Sequence, residues 1–160
     1  MTTRLRIPDA EAMEALGARL AALLIAGDLV VLDGPLGAGK TTLTRGLGAA
    51  LGARGAVTSP TFVLAREHPT ASGVPLVHVD AYRLASAREL DDLDLDYDGA
   101  IVVVEWGAGK LDGVADSWID VAIARDAAGD SRDVTITGTG PRWEHLDAAL
   151  GGVSKPDIGF

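Results

Sequence analysis

A chain of 160 residues, with 48% hydrophobic side chains and 14 basic against 23 acidic groups for a net charge of −9, has the composition of one globular domain around a single core. Such an acidic balance lacks the basic footprint that draws a stand-alone protein onto a phosphodiester backbone. With no cysteine, a disulfide framework, thiolate metal ligands and a cysteine nucleophile are all excluded in this chain, and a reducing, cytoplasmic setting is expected.

The segment Met1 to Arg6 leads into acidic residues rather than an apolar run with a cleavage site, so no export signal is expected. Arg4 to Ile7 reads as a short extended piece, and Pro8 and Asp9 open a helix whose apolar face is Met13, Leu16, Leu20, Leu23 and Leu24, with Gly27 as its stop. The longest apolar stretch, Leu20 to Ala26, falls well short of the roughly 20 residues a membrane span needs. Leu29 to Leu32 lacks polar alternation, as in a strand covered on both faces, and ends at Asp33. A glycine loop follows, then a helix over Lys40 to Leu51 closed by Gly52. Thr61 to Arg66, Leu76 to Asp80 and Ala100 to Glu105 read as strands, with a helix over Ala87 to Leu93 between the last two. Trp118 to Ile123 and Asp133 to Thr139 form a terminal hairpin, capped by a short helix over Pro141 to Leu150. Interleaved strands and helices predict an α/β fold: a mostly parallel sheet flanked by helices, with a C-terminal antiparallel hairpin, in one domain over residues 1–150 and a loose tail over 151–160.

Gly34-Pro35-Leu36-Gly37-Ala38-Gly39-Lys40-Thr41 matches the Walker A phosphate-loop pattern in full. Each residue type has a mechanical reason to be there. Glycines let backbone N–H groups converge on a phosphate where side chains would obstruct it. The helix beginning at Lys40 directs the positive end of its dipole to the same anion. Lys40 suits the β- and γ-phosphates, and the Thr41 hydroxyl suits Mg2+. From the composition of this chain the pattern arises by chance about half a per cent of the time. The spacing does not fit a dinucleotide fingerprint, which needs a third glycine and no lysine.

Nucleotide hydrolysis requires a further carboxylate for Mg2+ and a group to orient water. Two apolar runs end in an acid, Leu76 to Asp80 and Ile101 to Glu105, and in a parallel sheet both ends face the ligand crevice; the bland alternative is an acid leaving a strand into solvent. Ser59-Pro60-Thr61 fits a switch loop in which Thr61 binds the γ-phosphate or the metal, or equally a plain turn closed by Pro60. Asp94 to Glu105 matches a calcium-loop pattern, but its second half reads as a β-branched strand and Trp106-Gly107-Ala108-Gly109 does not begin a helix, so the acidic run 91–98 reads as a solvated segment. His68, His78 and His145 share no helical spacing and read as structural. Trp106 suits core packing or a lid over a nucleotide, and Arg83 suits a pair with Asp80 or a phosphate contact.

Four blocks now stand in order: the glycine loop with Thr42, Ser59-Pro60-Thr61-Phe62, His78-Val79-Asp80-Ala81-Tyr82-Arg83-Leu84, and Val104-Glu105-Trp106. Together they closely resemble the bacterial TsaE family, from about residue 10 to 140. The resemblance implies a small ATPase that joins TsaB and TsaD in making the threonylcarbamoyladenosine modification of tRNA, its ATP cycle supporting turnover by TsaD. It implies ATP and Mg2+ as cofactors, contact with tRNA only through the complex, and no membrane. Gly37, Ala38, Gly39, Lys40, Thr41 and Thr42 would hold the phosphates, Thr41 and Glu105 the Mg2+, and Asp80 would serve hydrolysis, with Thr61 the switch threonine. Trp106 resembles the family's tryptophan beside the nucleotide, and Arg132 a late arginine near the base. Met13 stands where the family often has a threonine near the adenine, and His68 where a tyrosine is common.

The reading is an ATP hydrolase, slow alone because no arginine occupies an obvious finger position, and completed by partners. A small-molecule kinase using Asp80 as base, and a non-catalytic ATP-dependent adaptor, are the rivals. The absence of an Asn-Lys-x-Asp motif leaves ATP against GTP undecided from sequence.

Overall fold

The computed structural model describes residues 2–35, 37–55, 65–80, 97–105, 115–125, 129 and 131–150. The expectations that concern Thr61, Arg83, Trp106, the helix over Ala87 to Leu93 and the tail 151–160 lie outside these residues. In chain order the elements are β1 (Thr2–Ile7), α1 (Ala10–Ala21), β2 (Leu29–Asp33), α2 (Lys40–Leu51), β3 (Ala65–His68), β4 (Leu76–Asp80), β5 (Ile101–Glu105), β6 (Trp118–Arg125) and β7 (Arg132–Thr139), followed by a 3-10 turn (Pro141–Trp143) and α3 (Leu146–Ala149).

The strands form a single sheet in the order β1-β7-β6-β2-β5-β4-β3. Its centre, β6-β2-β5-β4, is parallel; β3 is antiparallel on one edge and the β6–β7 hairpin with β1 is antiparallel on the other. The α/β class and the terminal hairpin are as the alternation of elements predicts, but the sheet is mixed rather than mostly parallel, because both its edges are closed by antiparallel pairs. β2 and β5 carry uninterrupted apolar runs because both their faces are covered. One face, with Val30, Leu32, Ile101, Val103, Ile119 and Val121, shares a core with Met13, Leu16 and Leu20 of α1 and Leu43 and Leu47 of α2. The opposite face, with Leu29, Val31, Val77, Val79, Val102 and Val104, packs against Tyr97, Ala115 and Trp118. Among the described residues no helix is long and apolar enough to cross a membrane.

Two boundaries differ from the sequence reading. The first helix stops at Ala21, well before Gly27: Leu23 and Leu24 continue with tighter bonds to Leu20 and Ala21, and Asp28 then accepts from the Ile25 amide at 2.8 Å. The C-terminal helix expected over Pro141 to Leu150 is instead a 3-10 turn and a separate single turn. The Trp143 amide bonds the Gly140 carbonyl three residues back, and His145 leaves helical geometry at φ −115°, ψ 27°, which lets Trp143, Leu146 and Leu150 all turn into the core. The extended segment expected from Thr61 is described from Ala65, where β3 runs on to His68.

Candidate functional site

Because β2, β4 and β5 run parallel, their carboxyl ends meet at one edge of the sheet, and each ends in an acid: Asp33, Asp80 and Glu105. Asp80 and Glu105 are direct partners across the β4–β5 ladder. The loop from Gly34 to Gly39 leaves β2 at this edge and delivers Lys40 to it.

The loop conformation requires its glycines. Gly39 sits at φ 117°, in the left-handed region, and turns the chain into α2. Gly34 passes so close to β6 that a Cβ there would lie 2.6 Å from the Ile123 carbonyl oxygen. The two long helices then begin differently. The N-cap Asp9 of α1 accepts from the Ala12 amide at 2.8 Å, and Glu11 adds a negative charge to the first turn. α2 has no capping side chain and no acid in its first turn. Its amino end is thus left to an external anion, where α1 satisfies its own.

Lys40 is 95% buried, with Nζ donating to the carbonyls of Gly34 at 2.6 Å and Pro35 at 3.1 Å. Burial lowers its pKa, and the nearby negative charges of Glu105, Asp33 and Asp80, in that order, pull it back up. The same field shows that one ammonium and three strand-end carboxylates occupy a common space. Glu105 is only 4% exposed, and its Oε2 lies 2.5 Å from Nε2 of His78, a wholly buried imidazole on β4. Thr41 and Thr42 follow Lys40 in the first turn of α2.

On the other side of the loop, a cavity of about 250 Å3 is walled by Asp9, Ala10 and Met13 at the start of α1, by Gly37, Ala38, Gly39 and Thr42, and by Arg132 at the start of β7. Arg132 braces the loop from outside: its Nε donates to the Ala38 carbonyl at 3.0 Å and one terminal nitrogen to Gly37 at 3.3 Å. Arg125, paired with Arg132 across the hairpin, reaches the same place, since a Cβ on Gly37 would lie 3.4 Å from its Nη1. No arginine stands in a finger position in sequence, yet the hairpin carries this one to the loop.

The fold therefore brings together Lys40, Asp80 and Glu105 at the strand ends, with Gly37, Ala38, Gly39, Thr41 and Thr42 in the loop and first helical turn, and sets Arg132 and Met13 on the adjacent cavity. Sequence reasoning gave no site role to five residues there. Asp33 carries the signal used for Asp80 and Glu105, an acid closing an apolar strand. His78 carries another, a lone polar side chain inside an otherwise apolar strand. Asp9 and Ala10 as cavity walls, and Arg125 beside Gly37, have no local signal, because they arrive through the packing of α1 and through the hairpin. The calcium-loop pattern ends in β5, where Ile101 to Glu105 are buried strand residues and Glu105 is bonded to His78. His68, also buried, bonds the Arg54 carbonyl through Nδ1 at 3.1 Å and belongs to the packing behind α2.

Known proteins resemble this chain along most of its length. The family model for "Threonylcarbamoyl adenosine biosynthesis protein TsaE" matches residues 7–134. Proteins described as "tRNA threonylcarbamoyladenosine biosynthesis protein TsaE" are similar along most of their lengths. The one from Streptomyces coelicolor is 56% identical, covering 86% of this chain and 98% of its own. The one from Mycobacterium tuberculosis is 48% identical over 81% and 83%, and that from Bacillus subtilis 37% over 88% and 89%. The crystal structure of Bacillus subtilis YdiB superimposes with a TM-score of 0.76 at 30% identity, covering 94% of this chain and 95% of that one.

Proposed function

The chain belongs to the TsaE family, and from that premise we propose that it is a P-loop, Mg2+-dependent ATPase in the threonylcarbamoyladenosine modification of tRNA, working in the cytoplasm with TsaB and TsaD and meeting tRNA only through that complex. The observation that carries the reading is the convergence of a buried lysine, an uncapped helix start and two laddered strand-end carboxylates on one glycine loop. Amides at the start of α2 and the Lys40 ammonium hold the triphosphate. The cavity between Met13 and Arg132 takes the base.

The donor set fits Mg2+, a hard cation that prefers oxygen: the Thr41 hydroxyl and the Glu105 carboxylate would hold it beside the phosphates. When bound, the ion neutralises charge on the β- and γ-oxygens. Asp80 would orient the attacking water from the neighbouring strand end, and the family resemblance adds Thr61 as the switch threonine and Trp106 as the tryptophan beside the nucleotide. Turnover is slow until the partner complex gates the site.

Calorimetric titration of the purified chain with ATP tests this directly. Uptake is expected without metal and is expected to tighten with Mg2+, Lys40→Ala is expected to weaken it by about a hundredfold, and Asp80→Asn is expected to bind ATP without releasing phosphate. Adding TsaB and TsaD should raise phosphate release. A chain that takes up no nucleotide with Mg2+, even beside those partners, would overturn the reading.

A further inference from the structure

His78 has no evident structural reason to be a histidine. It lies in the middle of β4, between Val77 and Val79, opposite Val103 of β5, and it is completely buried. An aliphatic side chain would suit that position without desolvating an imidazole. Among the described residues its Nδ1 has no hydrogen-bond partner, and its polar contact runs through Nε2 to Oε2 of Glu105, at 2.5 Å. A carboxylate oxygen accepts, which makes Nε2 the donor in this bond.

Glu105 needs such a partner. It ends β5 at a point where the residue is 96% buried, and although the Lys40 ammonium lies within its field, Nζ also donates to two loop carbonyls. A single bond from a rigid ring committed to the β4–β5 ladder selects one orientation of that carboxylate.

We propose that His78 is a positioning residue for Glu105: its Nε2–H commits one carboxylate oxygen to the interior, so that Glu105 meets a nucleotide-bound divalent cation with the other oxygen alone. This rests on the assignment of Glu105 to Mg2+ made above. It makes the histidine a determinant of metal affinity rather than of nucleotide affinity or of folding.

The test separates those three. Wild type, His78→Leu and His78→Gln are titrated with an N-methylanthraniloyl ATP without metal, and the saturated complexes are then titrated with Mg2+. Thermal melts of each are run in parallel. Leu fills the site without a donor; Gln restores an N–H at the reach of Nε2. The expected result is an unchanged nucleotide Kd in all three, an Mg2+ Kd weakened about tenfold in His78→Leu, and recovery to within threefold of wild type in His78→Gln. If His78→Leu does not fold, His78→Val, which matches its neighbours on β4, takes its place with the same expectation. A folded apolar variant with the wild-type Mg2+ response overturns the proposal alone, as does a parallel loss of nucleotide and Mg2+ affinity, which marks a packing role. A wild-type complex indifferent to Mg2+ overturns the ATPase reading together with it.

Discussion

Asp120 shows how burial and charge act on one side chain. It lies on β6, half-buried, accepting from the Trp118 indole at 2.9 Å. Burial raises its pKa above the ordinary 3.8, the indole bond works the other way, and the charge of Asp33 adds to the rise. A carboxyl whose pKa is raised on folding holds its proton more tightly in the native state. Native molecules therefore carry more protons than unfolded ones between 3.8 and the raised value, and stability falls as pH climbs through that window. Asp120→Asn keeps an oxygen for the indole and removes the charge. It is expected to melt roughly 1–2 °C higher at pH 7, discounted for the solvent that still reaches the group, with the advantage gone below the ordinary carboxylate value. Melting curves at pH 7 and pH 3.5 decide it; an equal gain at both values would refute the electrostatic account. Lys40 is the reverse case, a cation whose pKa stays lowered by burial although the acids around it oppose the shift.

The α1–α2 pair decides where the loop points. Gly17 and Gly46 sit at the crossing, and a Cβ on Gly17 would overlap the Leu43 carbonyl and crowd the Leu47 amide, while one on Gly46 would overlap the Glu14 carbonyl. The helices thus touch backbone to backbone, with Leu16, Leu20, Leu43 and Leu47 filling the core beneath them. Intrinsic propensity favours alanine over glycine inside a helix by about 1 kcal/mol. Packing opposes it by more, because carbonyl oxygens cannot move aside as a flexible side chain would. Gly46→Ala is therefore expected to destabilise the protein by about 2 kcal/mol net in urea unfolding, and a stabilised variant would show that the helices slide apart at no cost.

At the scale of the molecule, the end of the chain locks its beginning. Asp28, 95% buried in the turn before β2, receives both Nε and a terminal nitrogen of Arg142 at 3.1 Å, and the same guanidinium bonds the Leu23 carbonyl and lies 4.2 Å over the ring of Trp143. The link spans 114 positions of sequence. Arg142→Ala leaves Asp28 desolvated with the Ile25 amide, and is expected to cost about 2 kcal/mol, less than a fully buried pair because the arginine itself is partly solvated. Arg142→Lys should recover little, since an ammonium cannot donate two parallel bonds. Denaturant midpoints of both variants check this, and full recovery by lysine would show that charge alone matters.

Local pattern was enough to reveal much of this protein. An apolar run without alternation marks β2 and β5 as covered on both faces, and the glycines at 34 and 39 mark the tight connection from β2 into α2, because periodicity and backbone freedom are properties of neighbours in the chain. Helix α2 runs between the residues its pattern indicates. Other features appear only when distant segments meet. The early stop of α1 depends on Asp28 and Arg142, the split of the last helix on the burial of Trp143, and the cavity on α1 and the hairpin closing around the loop. His78 is the sharpest case: its residue type and place in β4 are visible at once, but its bond to Glu105 exists only because two parallel strands, far apart in the chain, lie side by side in one register.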